Sequence, residues 1–307
     1  MSITVFGAIF VDIKGYPYNV FIPKGRNVGQ ITTTYGGVSR NVSEDLGNIE
    51  LKPTFVSMVD DTPTGKDIIA RLNKHGVNTS YIHSRKDCTG TWLAVFNERG
   101  DVEAAISRRP DLTGILETLE TQGDEIFKNA DSIALEIDIE ELILNKILEL
   151  SEKHNRKLYA LVSNMSIAIE RREVLGRVAC FVCNQQEASI FFSDNYDYLE
   201  PEEMRKVLLE KVQTTHIKSM VVTMGEKGAV YASDDGESGY VEAIATNVVD
   251  TTGAGDAFFA GVVAGLTYGK SLKESCIIAS RLASSVISST KAVCPRFEAS
   301  EFGLQKR

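Results

Sequence analysis

Positive charge is in short supply in this chain. Lys and Arg number 33 against 42 Asp and Glu, a net charge of −9. A nucleic acid polymer or an anionic membrane surface is therefore not an expected partner. Cysteine is scarce and odd in number, 5 in 307 residues, which does not make a closed disulfide framework. The expected compartment is cytoplasmic and reducing. Cys180 and Cys183 form a C-x-x-C, but no second such pair and no His pair accompanies them, so a zinc site is unsupported. They flank Phe181 and Val182 in an apolar run and read as buried structural thiols. No run of about 18 apolar residues occurs, so no helical membrane span is expected. That removes intramembrane aspartyl proteases as a source of the G-x-G-D found near the C-terminus. Met1–Gly7 has no basic n-region and is not read as a signal peptide. The P-loop pattern G-x-x-x-x-G-K-[ST] is absent.

What remains is an ordinary globular composition, 43% hydrophobic and 24% charged. The length suits one large α/β domain or two smaller ones. The most informative stretch is Asp250-Thr251-Thr252-Gly253-Ala254-Gly255-Asp256, followed by the apolar run Ala257–Leu266. The run reads as a buried helix. Gly253 and Gly255 let the backbone turn tightly and approach a ligand. The N–H groups that open the helix lack internal partners and carry the positive end of its dipole, which suits an anion. Asp256 beside them could take a proton from a hydroxyl attacking phosphorus. The alternative for an Asp in a first turn is a charge that only stabilises the helix.

Ile3–Asp12 reads as an opening strand with Asp12 at its carboxyl end, where ligands gather in an open α/β sheet. There Asp12 could accept two hydroxyl hydrogens from a vicinal diol, or merely stabilise a turn. Short β-like runs without an intervening helix occur at Val20–Ile22, Gln30–Tyr35, Thr91–Phe96 and Val102–Ile106. They predict a small antiparallel sheet separate from the main one, inserted at about 14–35 and 90–108. Gly36 and Gly37 permit close approach before a helix in which Val38, Val42, Leu46 and Ile49 form the apolar stripe. Asn41 falls off that stripe on the first turn, and its amide suits sugar hydroxyls. Strand–helix alternation continues through Thr54–Asp61, Gly65–His75, Ser132–Leu135, Glu141–Glu152, Lys157–Val162 and Arg177–Cys183, which implies parallel crossovers. Met220–Tyr231 reads as strand, turn, strand, with Gly225 and Gly228 in the turn, and Leu272–Thr290 as a helix.

These motifs, in this order, resemble those of the ribokinase-like, or PfkB, family of carbohydrate and nucleoside kinases. The resemblance spans nearly the whole chain. It implies one α/β domain over 1–307, with a doubly wound, mainly parallel sheet flanked by helices and the small sheet as a lid. It implies Asp256 as catalytic base and Gly253, Ala254 and Gly255 as an anion hole. Asp12, Gly36, Gly37 and Asn41 would hold the substrate. Asn184 and Glu187, an N-x-x-E, would act near the phosphates of Mg²⁺–ATP through water. Thr223, Gly225 and Gly228 would contribute to ATP binding. The neighbourhood of Asp250 would hold a monovalent cation such as K⁺. The helix Leu272–Thr290 and the loop after it would shelter adenine, and the lid could pair across a homodimer.

The chain departs from the family pattern at two places. Val182-Cys183 precede Asn184 where relatives often have Lys-Pro, and Ser163 of Leu161–Asn164 stands where relatives commonly have Asp. The form G-G-V-x-R-N at Gly36–Asn41 is similar to the pseudouridine kinase branch. The expected reaction is therefore transfer of the ATP γ-phosphoryl group to the 5′-hydroxyl of pseudouridine. The alternatives are a kinase of a free sugar (ribose, fructose or a sugar acid) and a non-catalytic nucleoside or sugar sensor on the same fold.

Overall fold

Apolar residues on both faces of short strands dictate a sheet covered by helices on both sides. The computed structural model describes residues 1–163 and 165–305. Asn164, and Lys306 and Arg307 at the end of the 1–307 domain expected from sequence, lie outside the described residues. The chain opens with β1 (Ile3–Phe6), β2 (Phe10–Pro17), β3 (Gly29–Gly36), α1 (Val38–Asn48), β4 (Thr54–Val59), α2 (Pro63–Lys74) and β5 (Asn78–Ser84). Then come β6 (Gly90–Phe96), β7 (Val102–Arg108), α3 (Thr113–Asn129), β8 (Ser132–Glu136), α4 (Glu141–Lys153) and β9 (Lys157–Leu161). The helices α5 (Met165–Glu170) and α6 (Arg172–Leu175) lead to β10 (Cys180–Asn184), α7 (Gln185–Phe192), α8 (Pro201–Thr215) and β11 (Ser219–Thr223). β12 (Ala229–Ser233), β13 (Ser238–Val241), α9 (Ala254–Thr267) and α10 (Leu272–Ile287) follow.

The main sheet has 9 strands in the order β13-β12-β11-β10-β9-β8-β1-β4-β5. Pairings from β11 through to β5 are parallel, and β12 and β13 add an antiparallel edge. Alternate residues feed two cores, as a strand's two-residue period requires. Ile133, Leu135, Phe181, Met220 and Val222 join the core built on α3, α4 and α8. Val5, Phe55, Ala134, Val182 and Val221 join the core built on α1, α2, α9 and α10. Cys180 and Cys183 fall in different cores, and all five cysteines are buried and free. Among the described residues no helix is long and apolar enough to cross a membrane.

The lid is a 4-stranded sheet, β3-β2-β6-β7. β2–β3 and β6–β7 are antiparallel, while the central β2–β6 pairing is parallel. One expectation is corrected here. Ile3–Asp12 is not a single strand: β1 ends at Phe6, the chain leaves the main sheet at Gly7, and Asp12 stands in β2 of the lid. The cause is a close approach. A Cβ on Gly7 would lie 2.0 Å from Ser39 Oγ and 2.6 Å from Glu136 Oε2, so the chain threads past α1 and β8 before it can pair again. Val20–Ile22 is irregular rather than strand. Tyr35 Oη donates to Asp67 Oδ2 at 2.6 Å, tying the base of the lid to α2.

Candidate active site

The turn Asp250–Gly253 and the first turn of α9 form one wall of the site. Gly253 caps the helix at φ 82, a left-handed conformation that favours glycine. Its Cβ, were there one, would lie 2.0 Å from the carbonyl oxygen of Ala292, so the loop after α10 packs directly on this turn. A Cβ on Gly255 would meet nothing within 4 Å, so that side of the turn is open. The N–H groups of Gly255 and Asp256 find no acceptor among the described residues. Asp250 Oδ1 accepts from the Thr252 N–H at 2.8 Å and so shapes the turn. Burial alone would raise the Asp250 carboxyl; the Thr252 hydrogen bonds and the Lys14 charge overcome this and hold it below the ordinary range.

Helix α1 supplies the facing wall. Asn41 Nδ2 donates to Asp256 Oδ2 at 2.6 Å, across 215 residues of sequence. Asn41 is fixed from its other side, because its Oδ1 accepts from Arg40 Nη2. Arg40 is only 2% exposed and also donates to the carbonyls of Tyr35 and Gly36 and to Glu44 Oε2, the last at 2.6 Å. Glu44 is fully buried and takes Arg71 Nη2 at 2.7 Å, with His75 Nε2 at 3.6 Å. A continuous chain of charged and amide groups thus runs from Arg71 through Glu44, Arg40 and Asn41 to Asp256.

The lid provides Asp12. Gly36 lies at the end of β3 because a Cβ there would sit 2.4 Å from Asp12 Oδ2. Gly37 is the N-cap of α1. Burial raises the Asp12 carboxyl, against the pull of Lys14 and Arg40. Asp256 is pushed up to about 6, chiefly by burial and in part by the Asp12 charge, with Asn41 and Arg40 opposing. The structure therefore brings together Asp12, Gly36, Gly37, Asn41 and the Gly253–Asp256 turn.

A third group of acids adjoins them. Glu136, at the end of β8, accepts from Ser39 Oγ at 2.5 Å. It is pushed up to about 7, mainly by burial and then by the charge of Asp138, with Asp256 adding to it. Ser163 donates its N–H and its hydroxyl to Asp138, at 3.1 and 2.7 Å. A carboxylate thus does stand against Ser163, supplied by the loop after the neighbouring strand. Glu136, Asp138, Ser163, Gly7, Phe10 and Arg109 help line a cavity of about 270 Å³ beneath the lid. Sequence reasoning missed Glu136 and Asp138. The available signal was E-x-D at the carboxyl end of a buried parallel strand, the place where such sheets bind ligands.

The remaining predicted residues lie at the carboxyl ends of β10 and β11, where Asn184 and Thr223 are register partners. The N-x-x-E is a capping box: Asn184 Oδ1 accepts from the Glu187 N–H at 2.8 Å, and Glu187 Oε2 accepts from the Asn184 N–H at 2.7 Å. Its spacing is thus accounted for by α7 itself. Glu187 is raised by burial and by the nearby Asp138 charge. Gly225 opens a 3₁₀ turn facing empty space, whereas a Cβ on Gly228 would lie 2.1 Å from the Val241 carbonyl oxygen. Gly228 therefore serves strand packing. Among the described residues no group of three or more His, Cys, Asp or Glu is arranged to hold a metal by itself. Mg²⁺ bound to nucleotide phosphates keeps most of its ligands from water and phosphate, and one or two carboxylates suffice. Asp138 and Glu187 fit that need.

Comparison with known proteins bears on this geometry. The family model described as pfkB family carbohydrate kinase matches residues 1–296. Guanosine-inosine kinase of Exiguobacterium acetylicum is 32% identical over 292 residues, covering 94% of this chain and 95% of that protein. Pseudouridine kinase of Escherichia coli is 25% identical over 287 residues, covering 93% and 90%. Among solved structures, Arabidopsis thaliana ribokinase complexed with ribose and ATP superposes with a TM-score of 0.82 at 21% identity, covering 99% of each chain.

Proposed function

Since this chain belongs to the pfkB family of carbohydrate kinases, and is thereby a phosphotransferase with an alcohol acceptor, we propose that it phosphorylates the 5′-hydroxyl of a nucleoside with ATP. The observation that carries this reading is the contact of Asp256 with Asn41 at the open, positive end of α9, with Asp12 close enough to raise it. Asp256 takes the proton of the attacking hydroxyl, and the free N–H groups of the Gly253–Asp256 turn stabilise charge on the transferring phosphoryl group. Asp12 and Asn41 hold the ribose hydroxyls. Mg²⁺, when bound, neutralises phosphate charge, and Asp138 and Glu187 are the residues to hold it through water. Thr223 and Gly225 face the nucleotide from the far end of the sheet, and the Asp250 turn is the place for a monovalent cation. The chain is one kinase domain, and the lid exposes Ile31, Leu93 and Ile106, an apolar face fit for a homodimer.

The nucleobase belongs in the cavity beneath the lid. Arg109 lines it and has no hydrogen bond or ion pair among the described residues. A free guanidinium can donate two hydrogen bonds to O6 and N7 of a 6-oxopurine. That chemistry, with the greater identity to a guanosine-inosine kinase, favours guanosine or inosine as substrate. Pseudouridine is the second reading, favoured by G-G-V-x-R-N at Gly36–Asn41. An ADP-release assay over guanosine, inosine, pseudouridine, ribose and fructose decides between them. The expected order has a nucleoside at least about tenfold ahead of either sugar in kcat/KM, the worth of one good polar contact. Ribose or fructose in first place refutes the nucleoside reading.

The pH profile follows from Asp256. Its folded value of about 6 lies above the ordinary 3.8. A base acts only when deprotonated, so kcat/KM falls about tenfold per unit on the acid side of about 6. Glu136, titrating close by at about 7, shares in the observed limb. The stability effect has the opposite sense. Because the folded state favours the protonated acid, Asp256's stabilising contribution is complete below 3.8 and lost as pH rises through about 6. A rate profile flat from pH 5 to 8, taken at about constant ionic strength, contradicts the assignment.

A further inference from the structure

A second cavity, of about 870 Å³, lies away from the lid, between the carboxyl halves of α1 and α2 and the loop that follows α10. This volume falls in the range of small-molecule sites. Its wall is basic in a chain of net charge −9: Arg71, Lys74, Lys291 and Arg296 contribute, with the hydroxyls of Ser288 and Ser289 beside them. The two carboxylates in the wall are already engaged. Glu44 holds Arg40 and Arg71, and Asp67 accepts from Tyr35. Lys74 and Lys291 make no side-chain bond among the described residues. Arg296 Nη2 donates to the Lys74 carbonyl at 2.6 Å, which fixes two of the cationic positions relative to each other. Such a wall fits a dianionic phosphate head with a polar body.

Two physical links lead from this cavity to the reacting centre. Arg71 is the outer end of the chain through Glu44, Arg40 and Asn41 to Asp256. Ala292, next to Lys291, packs on Gly253 in the turn before α9. An anion that draws Arg71 towards itself weakens its hold on Glu44, and the buried Arg40 and Asn41 readjust. We propose that this cavity is a regulatory site for a phosphomonoester of nucleotide size, read by Arg71, Lys74, Lys291 and Arg296 and coupled to Asp256 through Glu44, Arg40 and Asn41.

The test uses inosine 5′-monophosphate as probe, with the nucleotide site filled by a non-hydrolysable ATP analogue and Mg²⁺. Calorimetry on the wild type and on Lys74→Ala/Lys291→Ala reads binding without turnover, so it stands whether or not the kinase assignment holds. The double variant's own kcat without probe is the reference against which the effect of the probe on it is read. The expected result is a binding event weakened about tenfold or more in the double variant. Any product binding at the nucleoside site survives in both proteins. In assays saturated with both substrates, the probe changes kcat about fivefold or more in the wild type and not in the variant. Equal affinity in the two proteins overturns the site. Binding with no change in kcat overturns the coupling.

Discussion

Asp256→Asn is expected to lower kcat by about 10²–10⁴-fold, the usual contribution of a positioned base. The amide oxygen of the new side chain can still accept from Asn41 Nδ2, so the contact that holds α1 to α9 is retained. The half-buried carboxylate, whose ionised form the fold disfavours, is gone. The variant should therefore melt at or above the wild-type temperature at neutral pH. KM for both substrates should move little, because the missing interaction is made only as the proton leaves. Steady-state kinetics beside a thermal melt separate this from a folding defect. A folded variant with kcat within about tenfold of wild type would remove Asp256 from its role.

Glu44→Ala has the largest expected effect on stability. Glu44 is fully buried and balances Arg40, itself 2% exposed. Removing one partner of a buried pair leaves the other charge uncompensated, at a cost of about 3–5 kcal/mol. That is a large fraction of the roughly 5–15 kcal/mol that keeps a domain folded. Urea unfolding should show it as a lower midpoint with an unchanged slope. The double variant Arg40→Met/Glu44→Leu is the sharper experiment. Replacing both charges with apolar groups of similar size is often neutral or stabilising, so most of the stability should return. Activity should not, because Asn41 Oδ1 loses the Arg40 donor that orients its amide towards Asp256. Full recovery of kcat together with stability would make the ion chain structural only. A destabilisation below about 1 kcal/mol for Glu44→Ala would contradict the burial argument itself.

The strong local signals in the sequence were those whose physics is local. The Asp250–Asp256 turn and helix α9 were legible because a glycine hinge, an unpaired helix start and an apolar run are properties of neighbouring residues. The parallel sheet and α2 were legible from strand–helix alternation, and α1 from its apolar stripe. Helix α3 was not, because it buries Gly114, Thr118 and Gly123 among its apolar residues and so shows only a thin stripe. The N-x-x-E was legible as a motif, but its capping role came only with the hydrogen bonds at the start of α7.

The sequence by itself thus determined the kind of sheet, the Asp250–Asp256 turn and the glycines at which the backbone packs closely or stays open. The tertiary structure alone decided that Asp12 belongs to the lid, since nothing within Ile3–Asp12 reveals that Ser39 and Glu136 crowd Gly7. It alone joined Asn41 to Asp256 across 215 residues and Ser39 to Glu136 across 97. It alone set Asp138 against Ser163, where the sequence shows no acid. The division has one physical reason. Backbone propensity and periodicity act over a few residues, whereas the protonation state and orientation of a buried group are set by whichever distant charges the fold packs against it.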